Sequence, residues 1–220
     1  DTIEINWHYN DGDQISENTV ICQIAGQARA VLSAERTALN FLQTLSATAT
    51  ATGQYVKKIQ HTSTRILDTR KTLPNFRLAQ KYAVRCGGGE NHRIGLYDRV
   101  LIKENHIIAA GSIANAVQQA RALFPSLKVE VETENLAEVQ QAIAVHADII
   151  MLDNFTLADM QTAVELNQCN KSREIRCLLE ASGGISLSTV QAIAETGVDY
   201  ISVGAITKHI QAVDLSLRLQ

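Results

Sequence analysis

The residues of this sequence best suited to chemistry are charged or glycine, and they stand where short apolar runs end. Asp68-Thr69-Arg70-Lys71-Thr72 follows Ile66-Leu67, and Lys103-Glu104-Asn105-His106 follows Val100-Leu101-Ile102. Glu132-Thr133 closes a run with Val129, Glu130 and Val131, and Asp153-Asn154 closes Ile149 to Leu152. Two more runs end in Ser182-Gly183-Gly184 and Gly204-Ala205. Arginine grips a carboxylate or phosphate through two parallel hydrogen bonds, whereas lysine offers a mobile point charge. Arg36, Arg70, Lys71, His92, Arg93 and Lys103 are therefore candidate anion ligands. Glycine turns let backbone N–H groups approach phosphate oxygens, so Ser182, Gly183, Gly184, Gly204 and Ala205 form a candidate phosphate cradle, aided by a following helix N-terminus. Carboxylates facing such a ligand, Glu132 and Asp153, suit sugar hydroxyls or Mg²⁺ with several retained waters. The chemistry this inventory fits is the handling of a phosphorylated, multiply anionic small molecule.

Each group has a plainer reading. Charged runs are commonly solvated surface. Lys103 departs from that pattern because apolar residues lie on both sides of it, which predicts partial burial and an anionic partner. Glu130 and Glu132 alternate along one run and point to the same side, so an ion pair with Lys103 or a bound cation should relieve their repulsion. For Glu130 a structural salt bridge is nearly as good a reading. Cys86-Gly87-Gly88-Gly89 follows a helical stretch, fits no nucleotide fingerprint and reads as a flexible loop. Cys169 and Cys177 flank the polar segment Asn170-Lys171-Ser172-Arg173-Glu174 without metal-ligand spacing. His8, His61, His146 and His209 are isolated in sequence.

The elements that must position these groups follow from periodicity. Up to Leu32, alternation broken by Asp11-Gly12-Asp13 and Gly26 predicts short antiparallel strands. From Ser33, taken as an N-cap, apolar residues recur at helical spacing through Leu45 and on to Gly53, which predicts a long helix. Six strand-like runs then alternate with helices capped by Ser112, Asn135, Thr156 and Ser188. That alternation implies right-handed crossovers and a parallel sheet. A barrel is favoured over an open doubly wound sheet because nearly every strand end is loaded with polar groups, as at the C-terminal face of a β/α barrel.

Composition limits the partners. The 220 residues, 45% hydrophobic and 20% charged with only 2 Pro, describe a globular chain able to bury a core. A net charge of −3 gives no general attraction for nucleic acid or anionic membrane. Four scattered cysteines without a C-x-x-C pair suit a reducing, cytoplasmic setting. No apolar run is long enough to span a membrane. The opening Asp1-Thr2-Ile3-Glu4, directly strand-like and without Met, suggests that an N-terminal piece is missing.

Taken together, Ser33-Ala34-Glu35-Arg36-Thr37-Ala38-Leu39-Asn40, Asp68 to Thr72, Gly87-Gly88-Gly89-Glu90-Asn91-His92-Arg93, Leu101 to His106, Leu152-Asp153-Asn154-Phe155 and Ala181 to Ile185 resemble the quinolinate phosphoribosyltransferases. The resemblance runs in order from about Asp11 to Leu219. It implies an α/β fold: an incomplete barrel of six or seven parallel strands preceded by part of an open-faced sandwich. The expected divisions are 1–32 for the remainder of the sandwich, 33–65 for a helical connection, 66–208 for the catalytic barrel and 209–220 for a returning segment. The implied reaction joins quinolinate and phosphoribosyl pyrophosphate to give nicotinate mononucleotide, pyrophosphate and CO₂, with Mg²⁺ required. By the resemblance, Arg36, Thr69, Arg70, His92 and Arg93 bind quinolinate. Lys71, Lys103, Glu132 and Asp153 are catalytic, and the last two also hold Mg²⁺. A homodimer is implied, with Arg36 reaching the neighbouring site. The alternatives are a paralogue associated with molybdenum transport and a non-catalytic subunit that binds a phosphate ligand.

Overall fold

The computed structural model describes residues 2–169 and 176–219. Two short antiparallel strands, β1 (Glu4–Trp7) and β2 (Cys22–Ala25), open the chain. The helix α1 (Ala28–Ile59) follows and, at 32 residues, is about 48 Å long. Then come β3 (Arg65–Leu67), α2 (Arg77–Cys86), β4 (Val100–Ile102), α3 (Glu104–Ala110), α4 (Ile113–Leu123), β5 (Val129–Thr133) and α5 (Leu136–Ala144). The chain continues through β6 (Ile149–Asp153), α6 (Leu157–Cys169), β7 (Leu178–Ser182), α7 (Val190–Ala194), β8 (Tyr200–Ser202) and α8 (Ala205–Lys208). The polar segment from Asn170 to Glu174 lies outside the described residues.

The six strands β3 to β8 form one parallel sheet in the order β3-β8-β7-β6-β5-β4. Sequence order is thus kept around the sheet, with a break between β3 and β4, which is the signature of an incomplete barrel. A bridge from Leu67 to Glu90 covers part of the break.

The period of two in each strand separates two environments. Val129, Val131, Ile150, Leu152, Leu179, Ala181, Ile201 and Val203 join the large apolar cluster with the helices. Their alternates, including Glu130, Glu132, Met151, Glu180 and Ser202, are left to the other face, the barrel interior. The sequence Val129-Glu130-Val131-Glu132-Thr133 therefore builds a wall and a site with the same five residues.

Several local expectations change. Ser33 is no N-cap: α1 starts at Ala28, and the Ser33 hydroxyl donates to the Arg29 carbonyl at 2.7 Å, the back-bonding of a serine inside a helix. The helix also runs through Gly53 to Ile59, because its second half packs against α2, β3 and α7. Ser112 and Asn135 do cap, each accepting an N–H, and Thr156 accepts the Asp159 N–H at 3.2 Å. Ser188 does not: α7 is one short turn, and the turn before it closes on Ser186 and Thr189. Gly87 is packed rather than flexible, since a Cβ there would stand 2.4 Å from the Ala49 carbonyl oxygen on α1.

Candidate active site

The C-terminal ends of the six strands form one mouth, and the loop after β3 supplies its first cations. Thr207 Oγ1 donates to the Lys71 carbonyl at 2.9 Å, which ties this loop to α8. On the other side Arg77 donates to the carbonyls of Arg70 and Ile94, each at 3.2 Å, while Gln80 Oε1 accepts the Leu73 N–H at 2.8 Å. Main-chain atoms of 70–73 are thereby held and the side chains of Arg70 and Lys71 left available. Thr69 Oγ1 accepts the Lys71 N–H at 3.1 Å, so Thr69 shapes the turn. Lys71 lies across Gly204, with its Cδ 3.3 Å from where a Cβ at Gly204 would be. The first and last strand ends of the barrel thus meet.

Beneath the loop, Asp68 and Lys81 are both buried. Asp68 accepts from Lys81 Nζ at 2.5 Å, the His92 N–H at 2.8 Å and Asn91 Nδ2 at 2.7 Å, and Lys81 also donates to the His92 carbonyl at 2.8 Å. Burial raises the Asp68 pKa and lowers that of Lys81, each against the pull of its partner. This pair joins the segment that presents Arg70 to the one that presents Arg93. Burial, and then the neighbouring Arg70, lower the Arg93 pKa, as expected of two cations facing a common space.

His92 itself points inward. Its Nε2 stands 3.2 Å from Glu130 and 3.4 Å from Glu180, and its Nδ1 accepts the Arg93 N–H at 2.8 Å. Both ring nitrogens are taken by protein groups, so the expected direct grip of His92 on a substrate carboxylate has no atom to make it. Glu130 also accepts from Arg99 at 3.1 Å, the structural salt bridge foreseen for it.

Around the rim, Lys103 pairs with Glu132 as anticipated. Its burial was not correctly anticipated. The strand β4 stops at Ile102, and Lys103 sits at the start of α3 with its side chain 47% exposed, because the apolar residues after it belong to a new helix. Asp153 is half-buried and takes an amide donor from Asn154 at 2.9 Å, while no cation within the described residues pairs with it. Gly183, at φ +97°, lies so close to Asn154 that a Cβ would fall 2.1 Å from its Oδ1. A Cβ at Gly184 would meet nothing within 4 Å, so the chain there opens on free space. No helix begins at Gly184, since α7 starts only at Val190, and any phosphate there would be cradled by loop N–H groups without the expected dipole.

The structure brings Thr69, Arg70, Lys71, His92, Arg93, Lys103, Glu132, Asp153, Ser182, Gly183, Gly184, Gly204 and Ala205 to the same end of the barrel. Arg36 stands apart. It is exposed on α1, two turns in, where the dipole no longer disfavours it, and no hydrogen bond or ion pair within the described residues engages it. Sequence reasoning passed over Arg77, Gln80 and Lys81. Their signal was present: with Val84 they follow the i, i+3, i+4, i+7 spacing of a buried helix face, polar where apolar residues belong. Two concavities, one around Arg121 and Asp148 and one around Lys57 and His61, lie away from this mouth and are open to solvent.

Comparison with known proteins decides the family. A model of the quinolinate phosphoribosyl transferase C-terminal domain matches residues 48–218, and one of the N-terminal domain matches residues 1–46. The chain belongs to the quinolinate phosphoribosyltransferase family. Among its relatives, a probable nicotinate-nucleotide pyrophosphorylase (carboxylating) of Synechocystis is 48% identical over 211 residues, covering 95% of this chain and 70% of that protein. The corresponding protein of Mycobacterium leprae is 41% identical over 222 residues, covering 100% of this chain and 76% of the relative. A nicotinate-nucleotide pyrophosphorylase structure from Francisella tularensis superposes with a TM-score of 0.94 at 56% identity, covering 99% of this chain and 76% of that one. The resemblance read from the motifs is therefore borne out, as is the α/β fold with its incomplete barrel. Membership also makes the chain an enzyme of the pentosyltransferase type. The two matched segments of this phosphoribosyltransferase meet inside α1, at residues 46–48.

Proposed function

We propose that this chain transfers the phosphoribosyl group of phosphoribosyl pyrophosphate to quinolinate and releases pyrophosphate and CO₂, leaving nicotinate mononucleotide. The observation that carries the reading is that the parallel strands end with Arg70, Lys71, Lys103, Glu132 and Asp153 at one end of the barrel, where the Asp68 and Lys81 pair also holds the segment bearing Arg93. A substrate with two adjacent carboxylates suits the two arginines, and Arg36 of a second subunit would complete the grip. The pyrophosphate suits Lys71 and Lys103. The ribose 5-phosphate suits the N–H groups of Ser182, Gly183 and Gly184 and the start of α8 at Gly204 and Ala205.

Glu132 and Asp153 fit Mg²⁺ by their chemistry: both are oxygen donors, both are only partly buried, and Asp153 has no cationic partner among the described residues. When bound there, Mg²⁺ would neutralise charge on the pyrophosphate and orient it for departure. As the C1–O bond of the ribose breaks, positive charge spreads over C1 and the ring oxygen, and the carboxylates of Glu132 and Asp153 favour it by position. The quinolinate nitrogen forms the new bond to C1 and becomes positively charged. That charge stabilises the electron pair left at C2 when CO₂ departs, and C2 then takes a proton. No covalent intermediate with the protein is required.

His92 enters as a support of Arg93. We further read the working form as a homodimer in the cytoplasm, with Arg36 crossing the interface and four cysteines outside any disulfide, which suit a reducing compartment. Among the described residues no helix is long and apolar enough to cross a membrane.

The deciding experiment measures labelled CO₂ released from carboxyl-labelled quinolinate. Release that needs both quinolinate and phosphoribosyl pyrophosphate, and falls when Mg²⁺ is chelated, supports the assignment. Binding of either substrate without release would make the chain a non-catalytic binder. Indifference to both would point to the paralogue associated with molybdenum transport.

A further inference from the structure

Below the mouth, two carboxylates enter a space closed to water. Glu130 on β5 and Glu180 on β7 are both 0% exposed, and His92 is inserted between them at 3.2 and 3.4 Å from Nε2. Arg99 and the His92 ring both give hydrogen bonds to Glu130. Neither oxygen of Glu180 meets a donor in full hydrogen-bond geometry, and only the His92 ring and the Ser202 hydroxyl approach it to lessen its charge. A fully buried, unbonded carboxylate is costly, so something must neutralise Glu180.

Three neutralisers are available: a metal ion held by the trio, an imidazolium ring, or a proton on Glu180 itself. The Arg93 N–H decides among them. It is donated to His92 Nδ1 at 2.8 Å, so that nitrogen presents a lone pair, and the ring proton of a histidine in this geometry sits on Nε2. A metal at Nε2 would need a lone pair there as well, leaving a ring with no proton. An imidazolium would place a second proton on Nδ1, against the Arg93 N–H. The remaining state has a neutral ring donating Nε2–H, Glu130 as the anion between that donor and Arg99, and Glu180 as a carboxylic acid.

Burial acts on Glu180 in the direction of this assignment, and the two carboxylates act on His92 against it. Burial and then the charge of Glu130 raise the Glu180 pKa. The two carboxylates pull His92 against burial, up to about 9. Much of that pull disappears once Glu180 keeps its own proton, because the neutral acid no longer attracts a charged ring. The groups facing Glu180 are His92, Glu130 and Ser202 of β8.

We propose that Glu180 is a positioning residue that works as a neutral carboxylic acid, fixing with Glu130 the orientation of the His92 ring and, through Nδ1, the main chain that carries Arg93. The inference rests on the assignment of Arg93 to quinolinate binding. Its role is to keep the arginine aimed without placing a second buried anion beneath a site that must bind anions.

The test uses the full chain with ¹⁵N-labelled histidine. In the wild type the His92 ring should show the neutral Nε2–H tautomer, unchanged between about pH 6 and 8. Glu180→Gln, which keeps shape and neutrality, should leave the ring signal and the KM for quinolinate within about twofold of wild type. Glu180→Ala should raise the quinolinate KM about tenfold with a small change in kcat and in the KM for phosphoribosyl pyrophosphate. An imidazolium signal in the wild type, or a Glu180→Gln protein as impaired as Glu180→Ala, would overturn the proposal. If Glu180→Ala fails to fold, the wild-type ring signal and the Gln variant still decide. Were the wild type to release no CO₂, the functional reading would fall, while the ring tautomer would still report the charge of Glu180.

Discussion

Lys81 and Asp68 meet at 2.5 Å with both side chains shut away from water, and their contact joins the two loops that present Arg70 and Arg93. Removing one partner strands the other as a buried charge. Lys81→Met should therefore cost about 3 to 5 kcal/mol of stability, read as a lower urea midpoint at unchanged slope. The surviving folded protein should also bind quinolinate more weakly, because the Asn91 to Arg93 segment loses its anchor.

A steric relationship governs the opposite rim. Gly183→Ala would drive a methyl group into Asn154 and demand a positive φ from alanine. Since Asn154 donates to Asp153, activity should fall by more than the stability change explains. A turnover loss of about tenfold or more, with thermal unfolding shifted by only a few degrees, is the expected pattern. Unchanged turnover would separate Asn154 from the aim of Asp153.

Asp153→Asn keeps the shape and removes the charge. Turnover should fall roughly ten- to a thousandfold, equivalent to about 1.4 to 4 kcal/mol of transition-state stabilisation, with little effect on folding. The Mg²⁺ concentration for half-maximal rate should rise in parallel. Wild-type turnover would make Asp153 a structural acid.

Arg36 and Lys103 allow a test of shared sites. If Arg36→Ala and Lys103→Ala proteins, each nearly inactive, are refolded together, a hybrid dimer carries one site with both lesions and one with neither. About a quarter of wild-type activity should return under random pairing, since half the dimers are hybrids and half of their sites are intact. Subunit exchange without recovery would confine Arg36 to its own subunit or remove it from the site.

The buried acid also leaves a signature on stability. The folded-state pKa of Glu180 is raised, so the native chain holds a proton that the unfolded chain releases above the ordinary glutamate range. Stability from this group is full below that range and declines as pH rises through the raised value, by at most about 1.4 kcal/mol per pH unit. Glu180→Gln abolishes the term. Its stability relative to wild type should therefore grow as pH rises above the ordinary glutamate range in urea titrations, and a difference that stays constant through that rise would contradict a proton on Glu180.

Much of this architecture was legible because period-two runs survive in the sequence. Val129 to Thr133 announced both a strand and an inward pair of acids, and the contact between Glu132 and Lys103 followed from neighbouring strand ends. What was not legible depended on where elements stop. Lys103 looked buried because the helix α3 resumes apolar sequence at Ile107, four residues after it, and Ser33 looked like a cap because the preceding Ala28 to Leu32 carries no strong signal of its own. The Asp68 and Lys81 pair was half legible: the spacing of Arg77, Gln80, Lys81 and Val84 marks a buried face of α2, but the partner of Lys81 belongs to a different element. His92 was recognised as important but assigned the wrong partners, since only the fold reveals that two strands send carboxylates to meet it.

The long helix α1 has a consequence for how such a protein can be divided. Its first half follows directly from the β1 and β2 pair, while its second half buries Ala47, Thr48, Thr52, Tyr55 and Ile59 against the barrel. The two family segments meet at its centre, so the boundary between them is a rigid rod with no hinge. A cut there would leave Ala49 and Thr52 on Gly87 but deprive that half of the helix of the turns that precede it. The segment ahead of the boundary is thus joined to the catalytic unit as a mast is stepped through a deck. Exchange of that segment between relatives should succeed only when the crossover lies before Ala28, leaving the whole helix with the barrel it completes.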